Sequence, residues 1–84
     1  IIDPAKKVRL TLTYPASTGR NFNEIVRVID SLQLTDQHKL ATPADWEQGN
    51  DCIVTPAVPT EKAKELFGNV NEVKPYLRYV NQPK

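Results

Sequence analysis

Arg20 is the side chain whose placement most suggests chemistry, because it stands immediately before Asn21-Phe22-Asn23-Glu24, a helix start. A helix N-terminus carries roughly half a unit of positive charge, so a cation there works against its local field. Asp or Glu would serve stability better. An arginine beside free helix amides suits an anion such as a thiolate, a peroxide-derived oxygen or a carboxylate. The plainer alternative is a surface arginine bridging to a nearby acid.

The other reactive types are sparse. Cys52 is the single cysteine; it lies in a short expected strand, away from any helix start, with Asp51 beside it to disfavour a thiolate. It reads as a passive thiol, with a mixed-disulfide or glutathionylation site as the alternative. His38 falls in a polar stretch and reads as a solvated surface residue. No cluster of His, Cys and carboxylates has metal-ligand spacing, so neither a metal nor a cofactor is expected. Ser17, His38 and an Asp do not follow the order or local motif of a hydrolase triad. Trp46 suits a packing anchor better than a ligand platform.

The elements that would position these residues follow from periodicity. Val8, Leu10, Leu12 and Tyr14 alternate with Arg9, Thr11 and Thr13, the pattern of a half-buried strand that ends at Pro15. Asp3-Pro4-Ala5-Lys6-Lys7 is a turn, so a hairpin joins Ile1-Ile2 to that strand. Asn21 caps the next helix, and Glu24 completes a pair resembling a capping box. Phe22, Ile25, Val26, Ile29 and Leu32 form one apolar stripe, with Glu24, Arg27, Asp30 and Ser31 turned away from it. The helix is expected to run to about Leu34, with residues 35–39 as a loop.

Five of the seven prolines lie beyond Ala41. There the sequence predicts turns at 42–46 and 49–51, and a short strand at 52–54. Thr60 is expected to cap a helix from Glu61 to Phe67 that Gly68 stops, and a last extended piece spans 76–80. With so few apolar anchors, this Pro-rich region is expected to need a larger platform.

Composition narrows the classes. The chain has 84 residues, with 11 basic and 10 acidic side chains, so one small unit is the most it can build and nothing favours nucleic acid or an anionic membrane surface. Apolar runs are too short for a membrane span. Ile1-Ile2 resembles the interior of a strand, so the chain is expected to be the C-terminal piece of a longer protein.

Three segments together resemble one family. Tyr14-Pro15-Ala16-Ser17-Thr18-Gly19-Arg20-Asn21-Phe22-Asn23-Glu24 resembles the strand, loop and helix that close the thioredoxin-like core of one-cysteine peroxiredoxins. Leu32-Gln33-Leu34-Thr35 with Ala41-Thr42-Pro43-Ala44-Asp45-Trp46 resembles the join to their C-terminal domain, and Lys74-Pro75-Tyr76-Leu77-Arg78-Tyr79 resembles its end. The stretch from Phe67-Gly68 to Tyr76 looks most like the fungal mitochondrial branch.

The resemblance implies an α/β fold: the end of a thioredoxin-like core over 1–37, then the small peroxiredoxin C-terminal domain over 41–84. It implies a thiol peroxidase that reduces hydrogen peroxide and organic hydroperoxides through a cysteine upstream of Ile1. Arg20 would be the supporting arginine of the active-site network. Leu10, Thr11, Leu12 and Thr13 would form an edge-strand dimer contact. Thr42 stands where two-cysteine relatives carry a resolving cysteine, which implies an external reductant, glutathione or the thioredoxin system. Ala5 stands where animal members carry an Asp linked to lipid hydrolysis, so that activity does not transfer. Location would be mitochondrial or cytoplasmic. The competing class is a non-catalytic dimerisation or interaction module.

Overall fold

The computed structural model describes residues 1–83. In chain order it contains α1 (Phe22–Gln37), β1 (Leu40–Ala41), β2 (Cys52–Val54), α2 (Thr60–Phe67), β3 (Asn71–Lys74) and β4 (Leu77–Val80). The strands form one antiparallel sheet in the order β1-β2-β4-β3.

Helix α1 begins where its cap dictates. Asn21 is extended, and its side-chain oxygen accepts from the amides of Asn23 and Glu24 at 3.0 and 3.3 Å. That satisfies two of the donors a helix start leaves open. Glu24 does not reciprocate as in a capping box; both its carboxylate oxygens take Arg27 at 2.9 Å. The helix also outruns its expected end at Leu34 by almost a turn. Thr35, Asp36 and Gln37 are helical, and extended His38 closes the helix by donating its amide to the Leu34 carbonyl at 3.0 Å.

The Pro-rich region gathers around a buried core that it shares with Leu34 of α1 and with Leu40. Leu34, Leu40, Trp46, Cys52, Val54, Val58, Ala63 and Val80 are all buried together, with Phe67 and Val70 packed against them. Alternation explains the strand contributions: Cys52 and Val54 point inward from β2 while Ile53 is half-buried. Trp46 is 1% exposed and donates its indole N–H to the Asn50 carbonyl at 3.1 Å, so it is the anchor its size suggests. The sequence reading missed β1 and β3. Two residues are too few for a visible period, and all of Asn71–Lys74 is exposed.

Thr60 does not cap α2 but is its first residue. Pro59 is the cap position and offers no side-chain bond. The Thr60 hydroxyl instead donates to Glu72 at 2.8 Å and accepts from Arg78 at 3.1 Å. Arg78 is buried and also donates to the Thr55 carbonyl at 3.0 Å. Gly68 ends α2 as expected, at φ 82, donating its amide to Lys64.

The N-terminal segment departs most from expectation. Residues 8–14 do not form a regular strand; one bridge pairs Ile2 with Val8, and the Arg9 amide reaches the Ile1 carbonyl at 2.9 Å. The hairpin turn is present, held by the Asp3 amide on the Lys7 carbonyl at 2.9 Å. Beyond it the backbone has no neighbouring strand among the described residues with which to form a ladder, and regular β structure requires one.

Candidate functional site

Arg20 is exposed at the end of the loop that follows Tyr14, and its neighbours are set by the alternation of the preceding segment. Leu10, Leu12 and Tyr14 share one side of that segment. With Ile1, Ile25 and Arg20 they line a hollow of roughly 190 Å³. Ile25 comes from the first turns of α1, so the strand-like segment and the helix start converge beside the guanidinium. The hollow is apolar on its walls and cationic at its rim.

No carboxylate lies within ion-pair distance of Arg20 among the described residues. The surface-bridge alternative for this arginine is therefore not realised. Most of the free helix amides expected beside it are taken, that of Phe22 being the exception among the described residues. Asn21 occupies those of Asn23 and Glu24, and the Ile25 amide turns to the Asn21 carbonyl. What remains is an unmatched, solvent-facing guanidinium over an apolar hollow. Such a group binds carboxylates and other oxyanions bidentately when one is brought to it.

The four residues expected at an interface present an open edge. Thr11, Leu12 and Thr13 are exposed and Leu10 is half-buried. Leu12 keeps 47% of its surface in water, as do large fractions of Val8 and Ile2. The Leu10 carbonyl accepts from the Ile1 ammonium at 2.6 Å; the rest of this backbone is unpaired among the described residues, and with Thr and Leu side chains and no proline it is a poorly defended edge.

Cys52 is far from a reactive thiol. It is fully buried in the core, with its sulfur 3.9 Å from the Asn50 carbonyl. Burial pushes its thiol up from the ordinary range, Trp46 partly offsets this, and Asp51 adds to it. A thiol held protonated cannot attack a peroxide. His38 is the closing residue of α1 and sits in a polar hollow with Asp30, Gln37 and Gln48. Ser17 lies in an exposed turn. Among the described residues no group of three or more His, Cys, Asp and Glu could hold a metal ion, and no helix is long and apolar enough to cross a membrane.

The polar side of α1 proves to be a contact surface that sequence reasoning missed. Arg27 donates to the Trp46 carbonyl at 3.0 Å while pairing with Glu24, and the Ser31 and Thr42 hydroxyls share a hydrogen bond of 2.6 Å. These residues seat the 42–46 turn on the helix. Their spacing of four on one face was visible in the sequence, but polar helix faces usually meet water. The expected apolar stripe is the more exposed side: Phe22 is 72% and Val26 57% exposed.

Comparison with known proteins agrees with this architecture. Residues 31–69 match the family described as the C-terminal domain of 1-Cys peroxiredoxin. The chain is 57% identical over 83 residues to a 1-Cys peroxiredoxin of Dictyostelium discoideum, covering 98% of this chain and 34% of that protein. It is 52% identical over 79 residues to the mitochondrial peroxiredoxin PRX1 of Saccharomyces cerevisiae, covering 94% and 30%. Peroxiredoxin-6 of Gallus gallus is 51% identical over 89 residues, covering 99% and 40%. The chain thus spans about a third of the length of the relatives it matches, and the fungal protein is no closer than the others. Among solved structures, the yeast mitochondrial 1-Cys peroxiredoxin, studied for thiol resolving by the glutathione/thioredoxin systems, superposes with a TM-score of 0.92 at 51% identity. That match covers 95% of this chain and 38% of the other. A Peroxiredoxin 6 of Arenicola marina gives 0.92 at 58% identity, covering 99% and 40%. The chain has the fold of the corresponding part of these structures.

Proposed function

We propose that this chain is the C-terminal part of a one-cysteine peroxiredoxin, a thiol peroxidase acting on hydrogen peroxide and organic hydroperoxides. The observation that carries the reading is the superposition at 51% and 58% identity over nearly the whole chain, which supports a shared fold. In that reading residues 1–37 complete a thioredoxin-like core and residues 41–84 form the C-terminal domain.

The chemistry belongs to a thiolate outside these 84 residues. That thiolate attacks one peroxide oxygen; the O–O bond breaks, the sulfur becomes a sulfenic acid, and the other oxygen leaves with a proton as water or alcohol. Burial, which also pushes its thiol pKa up, argues against Cys52 in this role. Arg20 supplies what this chain can contribute, an unpaired guanidinium that stabilises negative charge on the thiolate and the departing oxygen. Thr42, hydrogen-bonded to Ser31, replaces a resolving thiol. Reduction therefore falls to an external thiol, glutathione or the thioredoxin system, as in the yeast protein's description. The open edge Leu10–Thr13 pairs two subunits about a two-fold axis. The fungal relative supports a mitochondrial location, and a cytoplasmic one fits the other relatives equally well.

A second reading, a non-catalytic dimerisation module, is favoured by the same open edge and by the lack of an exposed thiol among the described residues. The residues preceding Ile1 in the natural protein separate the two. A Pro-x-x-x-Thr-x-x-Cys motif there, with that cysteine trapped as a sulfenic acid after peroxide treatment, establishes the enzyme. Its absence establishes the module.

A further inference from the structure

Arg9 is the one cation on the polar side of the 8–14 segment, and it is the most heavily paired side chain in the N-terminal region. Its two terminal nitrogens donate to the two carboxylate oxygens of Asp36 at 3.1 and 3.0 Å, a planar fork on a planar carboxylate. One of them also donates to Asp3 at 3.2 Å. Asp3 in turn accepts the Lys7 amide at 2.9 Å and shapes the turn, in which Lys6 adopts a left-handed φ of 65. One guanidinium therefore joins the hairpin turn to the last turn of α1.

Asp36 is out of place without it. A carboxylate in the last turn of a helix faces the negative end of the macrodipole, and this turn contains no basic residue. It is also the turn that the sequence pattern does not extend into, since the apolar stripe stops at Leu32 and the helix was expected to end near Leu34. A cation brought from outside the helix offsets Asp36 and lets the helix continue to Gln37. Three residues later the chain enters β1, whose Leu40 is part of the C-terminal core.

We infer that Arg9 is a positioning residue: through Asp36 it sets the length of α1 and fixes the hairpin, with its open edge, relative to the C-terminal sheet. Asp3 orients the guanidinium from one side and Asp36 receives it from the other. Arg9 and Asp36 form a mechanical link across 27 residues of sequence. Nothing in the peroxidase reading requires that link, although its effect on dimerisation rests on the edge contact proposed above.

Amide hydrogen exchange on the complete protein tests it, because the His38 amide, bonded to Leu34, reports the last turn of α1 without touching residue 9. Arg9→Ala is expected to speed His38 exchange about two- to five-fold, the range of an exposed ion pair. Arg9→Lys is expected to recover only part of this, since an ammonium cannot reproduce the fork. Arg9→Asp combined with Asp36→Arg is expected to restore slow exchange. His38 exchange unchanged in Arg9→Ala, or equally fast in the swapped pair and in Arg9→Asp alone, overturns the link. The dimer dissociation constant is read on the same variants. If exchange rises and is rescued while dimerisation stays constant, the link stands and the edge-strand contact falls.

Discussion

Helix α1 lies between two regions of opposite construction, and the contrast explains what each is for. Residues from Leu34 onward bury a compact set of side chains around Trp46, Cys52 and Val54. Residues before Leu34 bury no side chain completely, and they leave Ile2, Val8, Leu12, Phe22, Val26 and Ile29 exposed. Composition does not account for this, because the N-terminal region is the richer in large apolar residues. The difference lies in which face of α1 each region uses. The C-terminal unit docks on the polar face through Arg27 and Ser31, and the apolar stripe points elsewhere. The helix thus spends its polar face on one neighbour, while Phe22 and Val26 of its apolar stripe stay in water and Ile25 meets only the N-terminal segment.

Truncating the large side chain that defines each region should break the contrast most visibly. Trp46→Ala empties the centre of the C-terminal core and is expected to cost about 3–5 kcal/mol. Phe22→Ala, on a side chain 72% exposed, is expected to cost under about 1 kcal/mol if nothing covers it. Denaturant unfolding of the complete protein checks both. A large loss for Phe22→Ala there shows that the rest of the protein covers the stripe.

Cys52→Ser is next in size. It places a hydroxyl in a fully buried apolar site and is expected to cost about 1–3 kcal/mol while leaving peroxide turnover unchanged. The native thiol should also resist alkylation near pH 8, where an ordinary thiol reacts. Its pKa is raised by burial, so the unfolded chain ionises first. The stability this contributes is intact below the unfolded thiol's pKa, about 8.5, and is lost as pH rises through the native value. Rapid alkylation of folded protein contradicts the burial.

Asn21→Ala removes the acceptor for two amides and is expected to cost about 1 kcal/mol. Exchange should rise at Asn23 and Glu24 and stay unchanged in α2. The smallest effect is in acid. Asp3, bonded to the Lys7 amide, and Glu24, bonded to Arg27, are both held below their ordinary values. Their contribution is present above the unfolded carboxylate range near pH 4 and fades as pH falls through the lowered native values. Both groups are half-buried and still reached by solvent, so the change should be slight and confined to the hairpin and first turn of α1.

Legibility followed the same divide. The start of α1, the β2 strand, the Gly68 stop and the anchoring role of Trp46 could be read because each rests on local chemistry. The end of α1 could not, because it depends on Arg9 reaching Asp36 across 27 residues. The polar contact face of α1 was hidden for a related reason: Ser31 and Arg27 look solvated until the 42–46 turn is folded onto them. Segment 8–14 carried a strand's period, yet a period states only which side each residue faces. The ladder needs a partner, and none is supplied within the described residues. Arg20 was singled out for an anion on two grounds. The unpaired guanidinium remains, while all but the first of the helix amides are taken by Asn21.

Second-order peroxide reduction by the complete protein, followed by stopped flow in wild type and Arg20→Ala, tests the central claim most directly. Loss of a charged donor at a developing anion costs on the order of 10²–10³ in rate, and less when it acts at one remove. The exposed setting of Arg20 places the expected loss at about tenfold or more, with circular dichroism unchanged and Arg20→Lys recovering only part of it. Wild-type kinetics in Arg20→Ala would contradict the account, leaving Arg20 a surface residue and this chain without a part in the chemistry.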